Sequence, residues 1–264
     1  MQTRAECALR GAKAGAAVAA ESFREDVRVE TKSEKTDVVT QADRDAQRRV
    51  AEAIHESFDG EPIVGEEDGT PDSVPEDGPA WIVDPIDGTA NFVREIPTWA
   101  TSVAATVDGE AVAGATVAPA LDDTFVLGDG EAYVNGEPAA VSDRTDPETF
   151  TVVPTIWWGF DRREEYAAAC RAIVERFGDM RRIGSAQLEL PLCATGAVDA
   201  VVTNVEANPW DTVVGAGLVE AAGGTVTDVH GEPWRYDSRG LVASNGAAHD
   251  LVLDAARVPE RVRR

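Results

Sequence analysis

The sequence predicts a mixed α+β fold, with an antiparallel sheet in its first half and an α/β arrangement in its second half. In the first half, Asp108-Gly109 and Asn135-Gly136 mark hairpin turns, since Asp-Gly and Asn-Gly readily adopt the backbone that two-residue hairpin loops require. After residue 150, short apolar segments alternate with segments of helical character, which is typical of layered α/β structure. The chain contains no internal repeat and no linker-like stretch. We therefore expect one domain over residues 1–264, with subdomains at about 1–145 and 146–264.

The elements of the first half follow from apolar periodicity and from turn residues. A strand at Trp81 to Val83 is expected to end at Asp84-Pro85, because proline cannot continue a ladder of hydrogen bonds. A first helix is expected from the apolar residues that recur at helical spacing near the N-terminus, which are Leu9, Ala12, Ala16 and Ala19. The other expected elements are a strand at 27–30, a polar loop at 32–40, a helix at 41–58, a short strand at 63–64, a loop at 69–79, and strands at 101–107 and 111–117.

In the second half, strands and helices are expected to alternate. The Gly184-Ser185 pair is expected to open a helix that ends near residue 195, and the chain is expected to end in a helix. The other expected elements are strands at 151–154, 197–203, 225–229 and 241–244, and helices at 162–177 and 211–222.

The charge of the chain limits its partners and its surroundings. It carries 48 acidic residues against 24 basic ones, for a net charge of −24, and the acids are dispersed along its whole length. A dispersed acidic surface keeps a protein soluble where salt screens charge over about 3 Å, so we hypothesise a halophilic cytoplasm. Nucleic-acid binding is disfavoured, because phosphate contacts need basic patches.

Membrane, disulfide and zinc-binding classes are also disfavoured. The chain has no run of about 18 apolar residues, and its N-terminus lacks the apolar core of a signal peptide. We therefore expect a cytoplasmic protein without a membrane partner. The cysteines and histidines lie apart from one another, without the spacing of a metal site, and we interpret them as incidental: Cys7, Cys170, Cys193, His55, His230 and His249.

Four acidic residues stand at the ends of apolar segments, where their side chains can converge. Glu66 follows one short strand, Asp84 and Asp87 follow the next, and Asp211 follows Pro209-Trp210 at a helix start. Converging carboxylates repel unless cations neutralise them. Oxygen ligands without histidine or cysteine suit Mg²⁺ or Mn²⁺ rather than zinc. Taken alone, Asp211 is equally well explained as a helix cap, and the aspartate, proline and glycine after Val83 as an ordinary turn.

Three motifs in this order carry a resemblance to a known family: Gly65-Glu66-Glu67, WIVDPIDGTANF at 81–92, and Trp210-Asp211-Thr212 continued by 220–224. On these motifs the chain resembles the inositol monophosphatase family of magnesium-dependent, lithium-sensitive sugar phosphatases. Combined with its acidity, the chain is similar to a haloarchaeal-type member. The resemblance implies a layered αβαβα sandwich, a homodimer, and hydrolysis of a small phosphorylated substrate.

The resemblance also implies a set of metal ligands and catalytic residues. One Mg²⁺ is expected on Glu66, Asp84 and the backbone carbonyl of Ile86, and a second on Asp84, Asp87 and Asp211. A third, weaker ion would use Glu66, and Mn²⁺ would substitute for Mg²⁺. The attacking water is expected to be held by Glu66 and Thr89, with Asp43 orienting Thr89. For Asp43 alone, an acid at a helix N-terminus explains the residue without a catalytic role.

Substrate contacts are expected from Asp87, Gly88, Thr89, Ala186 and Lys32. In the family, the backbone N–H groups of Gly88 and Thr89 would hold phosphate oxygens, and glycine allows the close approach. Lys32 matches a family position, although an exposed loop cation explains it equally well. The turn before Ala186 is also consistent with a plain helix cap.

The preferred ester is left open by the sequence. Family members that favour inositol carry an acid before the Trp-Asp motif, and this chain has Thr203 or Asn204 there. Fructose 1,6-bisphosphate is the first alternative, with Arg181 and Arg182 as cations for its second phosphate, and a nucleotide 3′,5′-bisphosphate is another. A non-enzymatic regulator that binds metal or sugar phosphate is the alternative outside enzymes. It is disfavoured because Glu66 and the other expected site residues are all present.

Overall fold

The structure is a computed structural model that describes residues 2–25, 29–31, 38–67, 71, 73–156 and 160–262. The helices in these ranges are α1 (Arg4–Ser22), α2 (Gln41–His55), α3 (Thr89–Phe92), α4 (Arg163–Arg176), α5 (Ala186–Ala194), α6 (Pro209–Ala221) and α7 (His249–Val262). The strands are β1 (Val29–Thr31), β2 (Val38–Thr40), β3 (Ile63–Gly65), β4 (Pro79–Asp87), β5 (Ala100–Val107), β6 (Glu110–Ala118), β7 (Asp123–Gly128), β8 (Glu131–Val134), β9 (Glu137–Pro138), β10 (Thr151–Pro154), β11 (Asp179–Met180), β12 (Ala200–Glu206), β13 (Thr225–Thr227) and β14 (Arg239–Ser244).

Within the described residues, the first large sheet has seven strands in the order β3-β4-β5-β6-β7-β8-β9. β3 is parallel to β4, and every later pair is antiparallel. The predicted hairpin turns lie between β5 and β6 and between β8 and β9. Both turns have positive φ at each of their two residues, as a type I′ turn requires. The predicted antiparallel first half is confirmed.

The two faces of this sheet bury different helices, because successive side chains of a strand point to opposite faces. Trp81 and Val83 of β4 pack with α1 and α2, in a core that includes Ala12 and Val50. Ile82, between them, belongs to a second core that includes apolar residues of α5 and α6. The sheet therefore lies between the α1/α2 layer and the α5/α6 layer.

The second large sheet has the order β11-β10-β12-β14-β13. β10 is parallel to β11 and β12, whereas β14 is antiparallel to both of its neighbours. Val153 and Val201 of this sheet face the core shared with α5 and α6. Val152 and Val202 face α4 and α7 on the other side. The layer order is thus α1/α2, sheet, α5/α6, sheet, α4/α7, which is the expected αβαβα sandwich.

The prediction that Asp84-Pro85 ends a strand is wrong. β4 continues to Asp87, and its register against β5 shifts by one residue between Asp84 and Asp87. This is a β-bulge, one of the few places where a sheet accommodates proline. The hydroxyl of Thr101 donates to the carbonyl of Pro85 at 2.7 Å, within the bulge. The bulge therefore carries two acidic residues on one continuous strand.

Other predicted bounds differ from the structure at element ends. α2 ends at His55 rather than at residue 58, and β12 runs from Ala200 to Glu206 rather than from 197 to 203. The predicted loop at 32–40 contains the strand β2 at its end, while residues 32–37 lie outside the described residues. The predicted strand at 27–30 overlaps β1, although residues 26–28 are likewise not described. Across the described part of the chain, every helix falls short of the length and apolar character that a membrane span requires.

The close packing of α5 on α6 generates a stability prediction. A β-carbon on Gly215, inside α6, would lie 2.5 Å from Leu190 Cβ of α5. We expect Gly215→Ala to lower the free energy of unfolding by about 1–3 kcal/mol, because Cβ of Leu190 cannot move away without its backbone. Denaturant unfolding measures the change.

Gly11→Ala in α1 is the matched control. A β-carbon at Gly11 would meet Val50 Cγ1 at 3.5 Å, which is an ordinary contact. The better helix propensity of alanine is then expected to raise the free energy of unfolding by up to about 1 kcal/mol. Equal effects of the two substitutions would contradict the packing argument.

Candidate active site and metal centre

The acidic residues of the site come from the ends of neighbouring elements. Glu66 follows β3, and Asp84 lies beyond Val83 on the parallel strand β4, so the same edge of the sheet presents both residues. The Glu66 N–H donates to the carbonyl of Val83 at 3.3 Å, which ties the two chain segments together. Asp211 comes from the first turn of α6. Two sheet strands and one helix thus converge on one place.

Asp84, Asp87 and Asp211 each offer a carboxylate oxygen, and these oxygens all lie within 4.8 Å of one another. Asp84 and Asp87 are buried, and Asp211 is half-buried. Glu66 joins the cluster through its electrostatic interaction with Asp84. The structure therefore brings together all four acidic side chains that the sequence predicted as metal ligands.

Burial and mutual repulsion make these carboxyl groups hard to ionise without a cation. Burial raises the pKa of Asp84 well above its ordinary value, and the nearby charges of Glu66, Asp87 and Asp211 raise it further. Burial also raises the pKa of Asp87 to about 7, against hydrogen bonds that lower it. The pKa of Asp211 is raised by burial and by the charges of Asp87 and Glu66.

The donor set fits a hard divalent cation. Oδ1 of Asp84 is buried and has no hydrogen-bond partner among the described residues. A buried acceptor without a partner costs about 1–3 kcal/mol, so such an atom calls for a ligand. The four side chains offer only oxygen atoms, which Mg²⁺ prefers. A bound cation would supply the missing partner and offset the repulsion.

The turn after Asp87 is built around a glycine in the left-handed region. Gly88 has φ of +86°, and a β-carbon there would lie 3.1 Å from both Ser185 Cβ and the carbonyl oxygen of Thr98. The carbonyl oxygen of Gly184 would be 3.2 Å away. Gly88 is therefore required both by its backbone conformation and by the loop that packs on it.

Asn91 holds the loop at residues 183–185 from one side by hydrogen bonds. Its Nδ2 donates to the carbonyl oxygens of Thr98 and Ile183 at 2.8 and 2.9 Å. The buried carboxylate of Glu189 fastens the loop from the other side, since its Oε1 accepts from the N–H groups of Ile183 and Gly184 at 2.9 and 2.8 Å. Asn91 lies within one of the sequence motifs, but the motif predicts no role for it or for Glu189.

The loop and the start of α5 in turn hold Asp87. The N–H of Gln187 donates to Asp87 Oδ2 at 2.8 Å, and the hydroxyl of Ser185 bonds the same oxygen. Positive charge at the α5 N-terminus favours a carboxylate in this position. Ala186, predicted near the substrate, lies between these two residues in the first turn of α5 and is buried.

Thr89 and Asp43 are also brought together as predicted. The hydroxyl of Thr89 lies 3.2 Å from Asp43 Oδ1 and 2.9 Å from the carbonyl oxygen of Ile86. Asp43 is buried on α2, where a solvated helix acid would be exposed. With its proton engaged by these two acceptors, the Thr89 oxygen keeps lone pairs that can accept a hydrogen bond from a water.

Gln47 lies one helical turn after Asp43 and was not identified from the sequence. Its amide makes two hydrogen bonds with the backbone of Glu67, one to the carbonyl at 3.1 Å and one from the N–H at 3.0 Å. The same face of α2 therefore holds Thr89 through Asp43 and the segment carrying Glu66 through Gln47. An i, i+4 pair of polar residues on an otherwise apolar helix face is the signal that sequence reasoning missed.

The remaining predicted residues lie at the margin of the site or outside the described residues. Lys32 falls in the part of the chain that the structure leaves undescribed. Arg181 is exposed and pairs with Asp179, whereas Arg182 Nη1 lies 3.7 Å from Glu189 Oε1.

Asn204, one of the two residues found where the resemblance led us to expect an acid in an inositol-selective site, is a buried amide. Asn204 Nδ2 donates to Glu165 Oε2 at 3.2 Å. Glu165 is itself buried and pairs with Arg162 at 2.6 Å. The carboxylate next to Asn204 thus comes from Glu165 of α4, which no sequence motif indicates.

An all-oxygen cluster where two strands of one sheet meet a helix is the kind of centre that metal-dependent phosphoryl-transfer enzymes use. The model of the Inositol monophosphatase family matches residues 1–260. The inositol-1-monophosphatase of Bacillus subtilis is 32% identical over 92% of this chain and 91% of its own length. The fructose-1,6-bisphosphatase/inositol-1-monophosphatase of Thermotoga maritima is 36% identical over 85% of this chain and 84% of its own.

Solved structures agree with the sequence comparison. The Thermotoga maritima IMPase structure has a TM-score of 0.87 and 31% identity, covering 96% of each chain. The inositol monophosphatase from Anabaena has a TM-score of 0.82 and 30% identity, covering 95% of this chain and 94% of its own. The chain belongs to the inositol monophosphatase family. Members of this family are phosphatases that hydrolyse phosphomonoesters, and this chain is an enzyme of that class.

The raised pKa values predict that Mg²⁺ binding depends on pH. A carboxyl group with a raised pKa in the folded protein favours folding at low pH. That contribution is lost as pH rises from about 4 through the folded pKa, which is about 7 for Asp87. Mg²⁺ has to displace these protons, so we expect its apparent affinity to rise by up to about tenfold per pH unit for each proton released, between about pH 5 and pH 7. Calorimetric titration in buffers of different ionisation enthalpy measures both quantities.

An affinity for Mg²⁺ that stays constant over this range, without proton release, would contradict the raised pKa values. In EDTA, the cluster alone would make the protein less stable near pH 7 than near pH 5, whereas saturating Mg²⁺ is expected to reduce this difference.

Proposed function

We propose that the chain is a Mg²⁺-dependent phosphatase of a small sugar or polyol phosphate, of the inositol monophosphate type. The observation that carries this proposal is the convergence of Asp84, Asp87 and Asp211 within 4.8 Å. The unpartnered Oδ1 of the buried Asp84 adds to it.

In this proposal, Glu66, Asp84 and the carbonyl of Ile86 hold one Mg²⁺, and Asp84, Asp87 and Asp211 hold a second. A third, weaker ion uses Glu66, and Mn²⁺ substitutes for Mg²⁺. When bound, the ions neutralise phosphate charge and lower the pKa of a water. The Mg²⁺ and phosphate complex of an IMPase/NADP phosphatase, which is 22% identical, shares the fold of this chain.

The residues of the chain then act on the attacking water and on the phosphate. Glu66 and the Thr89 oxygen accept hydrogen bonds from the water, and Asp43 keeps the Thr89 proton turned away from it. The N–H groups of Gly88 and Thr89 hold phosphate oxygens. Gly88 allows the left-handed turn that presents these N–H groups. Ala186 and Lys32 complete the substrate contacts.

Fructose 1,6-bisphosphate is the second candidate substrate, for two reasons. The relatives from Thermotoga maritima and Aquifex aeolicus are named fructose-1,6-bisphosphatase/inositol-1-monophosphatase. In addition, the buried amide of Asn204 is neutral where an inositol-selective site would present an acid. Arg182, partly exposed beside the loop at 183–185, is the cation we assign to the second phosphate.

We further propose that the enzyme is a homodimer working in the cytoplasm of a halophile, of haloarchaeal type, without nucleic-acid or membrane partners. The net charge of −24 supports the halophilic setting. It also argues against RNA binding, although one relative, from Pseudomonas aeruginosa, is named Nus factor SuhB.

Glu66→Gln tests the proposed catalytic centre. We expect kcat to fall by about 10²–10⁴-fold, because the amide is a far weaker acceptor for the proton of the attacking water. Phosphate release at saturating Mg²⁺ measures the rate, and circular dichroism verifies the fold. The same substitution at the exposed Glu56, which only pairs loosely with Arg10 at 3.7 Å, serves as the control and is expected to retain full activity. Unchanged activity of Glu66→Gln would place the chemistry elsewhere.

A substrate panel in concentrated KCl separates the candidate substrates. The panel contains inositol 1-phosphate, fructose 1,6-bisphosphate, a nucleotide 3′,5′-bisphosphate and histidinol phosphate, each with Mg²⁺ and with EDTA. We expect Mg²⁺-dependent release from inositol 1-phosphate or fructose 1,6-bisphosphate. We also expect Arg182→Ala to raise KM at least about tenfold for the bisphosphate alone, because a charge-assisted contact of about 1.5–3 kcal/mol is lost. Mg²⁺ binding without release from any ester would instead favour the regulator.

A further inference from the structure

Gln187 contacts both the strand that carries Asp87 and the helix that carries Asp211, and it uses a different atom for each contact. Its backbone N–H donates to Asp87 Oδ2 at 2.8 Å. Its side-chain Nε2 donates to the carbonyl oxygen of Trp210, the residue that precedes Asp211. Because a carbonyl only accepts, this contact also fixes which end of the amide is the nitrogen. One residue of α5 therefore contacts both the strand that supplies Asp87 and the helix turn that supplies Asp211.

Burying the Gln187 side chain lowers the stability of the fold if the side chain contributes only packing. Gln187 is 1% exposed, and its Oε1 has no hydrogen-bond partner among the described residues. A methionine of similar length would fill the same space without burying an unpartnered acceptor, which costs about 1–3 kcal/mol. The amide is thus better explained by what its Nε2 holds in place than by the stability of the metal-free fold.

Like charges make such a connection useful. Asp87 and Asp211 repel each other, since each offers a carboxylate oxygen within 4.8 Å of the other's. The apolar packing of α5 on α6 and the hydrogen bonds that Asn208 donates to Asp211 Oδ2 hold the first turn of α6, but they do not tie it to Asp87. The hydrogen bond from Gln187 to the carbonyl of Trp210 does, because the backbone of Gln187 also bonds Asp87.

We propose that Gln187 is a positioning residue for the cation shared by Asp84, Asp87 and Asp211, an inference that rests on the proposed function. It holds Asp211 beside Asp87, where their carboxylate oxygens lie within 4.8 Å of each other and would share one ion. Groups that orient metal ligands typically contribute about 10–100-fold to metal affinity. The side chain of Gln187 contributes through the Trp210 carbonyl, whereas its backbone contact with Asp87 survives substitution.

Gln187→Met is the test, performed by calorimetric titration of the full chain with Mg²⁺. We expect one class of Mg²⁺ sites to weaken by about 10-fold or more while the other class stays within about twofold. The melting temperature in EDTA is expected to stay the same or rise, because removal of the unpartnered Oε1 offsets loss of the hydrogen bond to the Trp210 carbonyl. Raising Mg²⁺ is expected to restore kcat, with KM for the ester unchanged at saturating Mg²⁺.

Gln47→Met is the matched comparison, since Gln47 is the other buried glutamine at the site and both ends of its amide are paired with Glu67. This variant is expected to lower the melting temperature in EDTA, because it removes two buried hydrogen bonds to the backbone of Glu67. A Gln187→Met protein with the Mg²⁺ isotherm of the wild type would overturn the inference and leave the proposed function intact. A weakening of every Mg²⁺ site in parallel with a loss of stability in EDTA would also overturn it. A wild-type protein that binds no Mg²⁺ would overturn the proposed function, and the inference with it.

Discussion

Repulsion among buried carboxylates is the constraint on which the rest of the site depends. Asp84, Asp87 and Asp211 offer oxygens within 4.8 Å of one another, and burial raises the pKa of each group. Such a cluster persists only where the surrounding fold holds it in place or a cation neutralises it. The αβαβα layers meet this demand, because each acid is anchored on an element whose other residues are deep in a core. The stability of those cores therefore maintains an arrangement that would otherwise open.

Hydrogen bonds transmit this rigidity from the cores to the site. On one side, α2 presents Asp43 to Thr89 and Gln47 to the backbone of Glu67. On the other side, Asn91 and Glu189 hold the loop at 183–185. Ser185 of this loop in turn donates a hydrogen bond to Asp87. These contacts are buried or partly buried, so their hydrogen bonds are less exposed to competition from water. The reacting groups of this phosphatase are thus supported from both neighbouring layers.

The strand that carries the two aspartates shows how a local irregularity serves the site. A regular strand would point Asp84 and Asp87 to opposite faces, because side chains alternate along it. The bulge between them inserts one residue relative to β5 and brings both carboxylates to the same cluster. Pro85 lies within this bulge and Gly88 follows it with positive φ. Pro85 and Gly88, which resemble turn residues in the sequence, therefore belong to the end of the strand that forms the site.

The sequence by itself determined the hairpins, the alternation of the second half, and the acidic residues, because turn dipeptides, apolar periodicity and motif spacing are local properties. Glu66, Asp84, Asp87 and Asp211 were singled out on that basis, whereas the roles of Thr89 and its partner Asp43 were predicted from the family resemblance. Tertiary structure alone decided the course of β4 through Pro85 and the roles of Gln47, Gln187 and Glu189. The bulge depends on pairing with β5, and the roles of these residues depend on contacts between elements far apart in the chain. The residue pattern within one element does not indicate which distant carbonyl or N–H group a buried polar side chain will bond. That pairing is set only when the elements pack together in the folded protein.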